Sequence, residues 1–186
     1  MSNFTEWESF YVIVGSSAAA LTGLQFVVIA LTADLRRSTA REIDAFPTPT
    51  IIHFGVVLLI SGILSAPWHG LRVPSLLMAA SGFIGLAYSI LIVRRARKQT
   101  SYSLVLEDWL FHTALPVVAY GLLATASLTL RTAPHGSLFV IAAAVLLLLL
   151  IGIHNACDTA TYLVARDAQK REEAKERPTD GTTPRS

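Results

Sequence analysis

The chain has 186 residues, 53% of them hydrophobic, a mean hydropathy of +0.53 and a net charge of +2. Only 15% of its residues are charged, against about 25% in an ordinary soluble domain, which excludes intrinsic disorder, a collagen-like rod and a typical water-soluble enzyme. The basic residues sit at the ends of apolar runs instead of lining a groove, which excludes nucleic acid as a partner, and a single cysteine, Cys157, excludes an internal disulfide or a CxxC metal knuckle.

Five apolar runs approach the roughly 20 residues that a helix needs to cross a bilayer. They predict an all-α, polytopic membrane helix bundle with transmembrane helices over 10–33, 51–67, 73–93, 109–130 and 137–162. The stretch before the first run holds Glu6 and Glu8 and no Lys or Arg. A secretory signal requires a basic segment there, so the first run is expected to remain as a membrane helix. Between the first two runs, Thr39 and Glu42 match a capping box, and Pro47 and Pro49 predict an extended approach to the second helix. The third run closes on Arg94, Arg95, Arg97 and Lys98. Beyond 165 the residues are mostly good helix formers, so 166–177 is expected to continue as a helical stalk, and 178–186, opening on Pro178, as a disordered tail.

Lysine and arginine fix the orientation. Arg36, Arg37 and Arg41, the 94–98 group and the basic residues of 166–186 all fall on one side, and only Arg72 and Arg131 of the 15 fall on the other. Basic loops resist translocation, so the rich side is cytoplasmic. The N-terminus is then outside, the C-terminus cytoplasmic and the span count odd, as expected for a multi-pass protein of the cell inner membrane.

Several residues are out of place in such runs. Gly15, Ala19 and Gly23 form a small-residue row on the first span, a seam for self-association or for a neighbouring span such as the third, which carries Ser81, Gly85 and Ser89. Gln25 adds a buried amide. On the predicted topology His53, His112 and His154 come from three spans at similar depths near the cytoplasmic edge. Asp108 lies four residues before His112 and Asp158 four after His154, so each carboxylate shares a helix face with its histidine. Cys157 extends the stripe on the last span. Such a cluster could handle a proton or ion, hold a divalent metal, or sit in the wet headgroup zone; no HExxH or paired ExxH signature supports the metal. Pro116 removes the bond to the carbonyl of His112 and predicts a helix kink there. His69 and His135 read as exposed loop residues on the outer side.

No Walker A, GxGxxG or GxSxG pattern is present. Three functions remain in play. The first is a non-catalytic, self-associating membrane subunit or regulator, meeting a cytoplasmic protein through its stalk. The second is a small ion or proton conduit with the His/Asp cluster at its cytoplasmic mouth. The third is a membrane-embedded metal-dependent enzyme using the same side chains.

Overall fold

The structure, a computed structural model, describes residues 4–31, 47–96 and 109–176. Among these there is helix and no strand. A short 3-10 turn, Thr5–Trp7, leads into α1 (Glu8–Leu31); α2 spans Pro47–Ser65 and α3 Arg72–Ala96. A π-helical turn, Leu110–Ala114, precedes α4 (Leu115–Thr129), and α5 runs unbroken over Pro134–Glu176. The capping-box residues 39–42, the basic pair Arg97 and Lys98, Asp108 and the tail 178–186 lie outside the described residues.

The start and end of α2 correct the expectation from sequence. Pro47 and Pro49 do not hold the chain extended: both belong to the first turn of α2, where an absent N–H costs nothing because that turn has no intrahelical partner for it. The helix then stops at Ser65, short of Pro67. The Trp68 indole donates to the carbonyl of Ile63 at 2.6 Å and the Trp68 backbone N–H to Ala66 at 2.9 Å, so carbonyls at the helix end are satisfied from the following turn.

The helices form an arc in the order α1, α2, α5, α4, α3. α5 packs against both α2 and α4, and α1 and α3 flank the outside. Glycines set the close approaches. A Cβ on Gly15 would meet Ser61 of α2 at 2.8 Å, and one on Gly82 would meet the Ala124 backbone of α4 at 2.7 Å. The Tyr120 ring of α4 lies directly on Gly85, and the Phe54 ring of α2 on Gly152 of α5. The two small-residue rows therefore do not pair with each other: Gly15 serves α2 and Gly85 serves α4. Ala19 and Gly23 are exposed, with nothing within 4 Å of a Cβ placed on Gly23.

At one end, the Trp68 end, Trp7 packs edge-on against Phe139 with ring centroids 4.7 Å apart, tying the start of α1 to α5. Thr129 and Ser137 share a hydrogen bond of 3.0 Å across the α4–α5 turn. The outward faces carry large apolar side chains, including Ile13, Ile84, Leu128 and Leu150, an exposure compatible with lipid contact. Four helical segments are long and apolar enough to cross a membrane, Thr5–Ala30, Arg72–Arg94, Leu110–Thr129 and Pro134–Tyr162, and the apolar part of α2, Pro49–Ser65, is shorter.

The glycine contacts yield a contrast. Gly82→Ala places a methyl group into the backbone of Ala124 and is expected to cost about 1–3 kcal/mol, while Gly23→Ala, on an open face, leaves thermal unfolding in detergent unchanged or slightly raised. Circular dichroism melts of the two variants check this.

Candidate functional site

The polar side chains of the bundle gather at the opposite end, where α2, α4 and α5 meet. His53 is the one buried side chain among the described His, Asp, Glu, Lys and Arg residues. Its Nδ1 lies 2.9 Å from the Tyr120 hydroxyl, across the gap between α2 and α4. Side chains lean toward the N-terminus of their helix, which carries the Tyr120 hydroxyl from the middle of α4 down toward His53. The Gly85 face behind the ring leaves it room to lie flat. His112, in the π turn, lies within electrostatic range of His53.

The π turn is how α4 accommodates Pro116. The Leu115 N–H bonds the carbonyl of Leu110, five residues back, widening the backbone one residue before the proline. The sequence reading expects a kink at Pro116; the structure has a π turn over Leu110–Ala114 just before it. It brings Phe111 onto α5, where its ring stacks on that of His154 with centroids 3.6 Å apart and planes 24° from parallel. His154 in turn pairs through Nε2 with Asp158 at 3.1 Å, and both are partly exposed.

The three histidines are thus drawn toward one end of the bundle but into two environments. His53 is sealed inside with a neutral phenol; His154 is at the rim with a carboxylate. Cys157 is exposed, and Asp108 lies outside the described residues. Among the described residues no three His, Cys, Asp or Glu side chains gather closely enough to hold a metal ion. What the arrangement can do is keep a hydrogen-bonded His53–Tyr120 pair in the interior and a His154–Asp158 pair at the solvent-reached edge.

Two further polar residues belong to this region. Thr50 and Asn155 are fully buried, and the Thr50 hydroxyl and both amide atoms of Asn155 have no hydrogen-bond partner among the described residues. Thr50 is one turn from Phe54 and Asn155 one turn from Gly152. Because Phe54 rests on Gly152, the two side chains stand at similar heights on α2 and α5. Tyr120 is the residue that sequence reasoning missed. The signal for it is its spacing of eight from His112, two turns on the same helix face, with a polar tip inside an apolar run.

Fold and site together define an α-helical bundle with helices apolar enough to span a membrane and a buried histidine, His53, toward one end. Comparison with family models, curated proteins and solved structures returns no match.

The His53–Tyr120 bond can be measured by a double-mutant cycle. Tyr120→Phe keeps the ring on Gly85 and removes only the hydroxyl. Combined with His53→Leu, it is expected to show a coupling of about 1 kcal/mol in detergent-unfolding titrations, in the range found for interhelical bonds in membranes. Additive effects would show that the pair contributes nothing.

Proposed function

We propose that this chain is a five-span protein of the cell inner membrane, N-terminus outside and C-terminus cytoplasmic, that works as a non-catalytic membrane subunit or regulator and meets a cytoplasmic protein through residues 166–177. Several features support the spanning reading. Arg72 and Arg94 bracket α3, and Trp109 and Arg131 bracket the span containing α4; each pair is about 33 Å apart at 1.5 Å per residue, close to the roughly 30 Å of a hydrocarbon core. At about 28 Å, α2 is nearly as long, and it is enclosed between α1 and α5. The excess of lysine and arginine at the end where α5 projects supports a cytoplasmic C-terminus.

The observation that carries the subunit reading is the Trp68 half of the bundle. Its buried side chains are Ile60, Leu64, Leu123, Leu130, Leu138 and Ile141, with the phenol of Tyr11 and a few hydroxyls. Ser127 bonds the Leu123 carbonyl of its own helix at 2.6 Å, and Ser75 bonds that of Arg72 at 2.9 Å. A conduit needs polar groups facing one another along its length; Ser127 and Ser75 are turned back on their own backbone, and the buried Tyr11 and Ser61 hydroxyls, which have no partner among the described residues, are too few to make a continuous path. What the chain does offer to an aqueous partner is α5, which continues past Tyr162 to Glu176 as a helix rich in charge. The open row of Ala19 and Gly23 on α1 gives a second copy a flat face to approach.

Two measurements test this. Reporter fusions should place residues 94–98 and the C-terminus in the cytoplasm and the N-terminus outside; a periplasmic signal at 94–98 overturns the topology. Truncation after residue 165 should leave the protein in the membrane and abolish co-purification of its cytoplasmic partner; a partner retained by the truncated chain removes the stalk from the reading.

A further inference from the structure

α3 and α4 touch closely where Gly82 and Gly85 face Ala124 and Tyr120. Toward the other end of the same helix pair, the residues of α3 become bulky and the backbone before α4 widens into the π turn. The two helices leave between them a cavity of about 480 Å³, open along one side. Its walls include Ile90 and Val93 from α3 and Val117 and Val118 from α4, and Arg94 and Trp109 stand at its mouth. From Trp109 to Val118 it runs about 13 Å along the helix axis.

Two properties identify an occupant. Apart from Thr113 the walls between Arg94 and Val118 are apolar, so they fit a hydrocarbon chain and offer little to a polar solute. The mouth carries a cation: Arg94 is exposed, and no carboxylate among the described residues pairs with it. Arg95, Arg97 and Lys98 follow directly in the sequence. The complement of an apolar trough ending in a guanidinium that pairs with no described carboxylate is an amphiphile with an anionic head. Arg94 and Trp109 close their respective spans, which is the depth at which lipid phosphate lies and at which Trp is favoured. An arginine fork suits phosphate oxygens.

We propose that this groove is a binding site for one anionic phospholipid of the cytoplasmic leaflet, with an acyl chain lying along Ile90, Val93, Val117 and Val118 and its phosphate on Arg94. The site rests on the membrane-spanning reading above. Arg94 supplies the preference for negative charge, and the valine wall supplies affinity that any lipid shares. The bound lipid completes the surface of the α3–α4 pair where the glycine contacts have ended.

Trp109 at the mouth serves as the reporter. The full chain carrying Trp7→Phe and Trp68→Phe, checked for unchanged helicity, is reconstituted in phosphatidylcholine vesicles with a minor fraction of brominated lipid. Brominated phosphatidylglycerol should quench Trp109 about fivefold more effectively than brominated phosphatidylcholine at the same mole fraction, the factor that one basic residue at an anionic head contributes. Arg94→Gln should bring the two lipids to the same level. Val117→Trp overfills the trough and cannot be read by fluorescence, so lipid retained by that variant is measured by native mass spectrometry; retained phosphatidylglycerol should fall. Equal quenching by both lipids in the unsubstituted groove, or a preference that survives Arg94→Gln, overturns the proposal. Quenching no greater than in bulk lipid also overturns it and leaves the groove to residues 97–108 or to a second copy. In each of these cases the protein still resists carbonate extraction from the vesicles; a chain that carbonate removes would instead sink the membrane-spanning reading and the lipid site with it.

Discussion

Close approach of helix backbones at glycine is the constraint on which this bundle depends. Apolar side chains gain little by leaving lipid for a helix interface, so helices in a bilayer associate through van der Waals contact and interhelical hydrogen bonds. Three of the four main helix pairs have such a point: Gly15 on Ser61 for α1 and α2, Gly82 on Ala124 for α3 and α4, Gly152 under Phe54 for α2 and α5. Only the α4–α5 pair lacks one among the described residues, and it is joined by the Phe111–His154 stack at one end and the Thr129–Ser137 bond at the other. A short turn links α4 to α5, so chain connectivity replaces what a glycine does elsewhere.

The same constraint divides the bundle along its length. Where glycines bring the backbones together, the interior is filled mainly by Leu, Ile, Ala and aromatic rings. At the His53 level, where Phe54 rests on Gly152 and Tyr120 on Gly85, polar residues enter from three helices. A buried imidazole is costly unless its nitrogens are engaged, and the Tyr120 hydroxyl meets one of them without introducing charge. His154, at the rim, meets the Asp158 carboxylate where solvent reaches both side chains. Pro116 connects the two: the widened turn it requires carries Phe111 to α5 and His112 toward His53.

Much of this was legible in the amino-acid order. Apolar run lengths mark the helical segments, because crossing hydrocarbon demands an uninterrupted helix. Pro116 marks the break in α4, because a missing N–H has a local consequence. Pro47 misled for a related reason: a proline forbids an intrahelical bond only where one would otherwise form, and whether a given position is a first turn or an approach to it is set by where the rest of the helix is anchored. The seam on α1 was legible as a row of small residues but not as a divided one, with Gly15 engaged and Gly23 open.

Run lengths, charge flanks and the proline position are properties of one segment against its solvent, and the primary structure alone determined them: which stretches are helical, which end of each is basic, and where α4 must yield. The order of helices around the arc, the choice of Tyr120 as partner to His53, the burial of Thr50 and Asn155, and the trough below Arg94 were decided only by tertiary structure. Each depends on which faces meet, and helices whose outer surfaces are all similarly apolar carry no periodic mark of their neighbour. Glycine and serine record that some backbone comes near; they do not record which one.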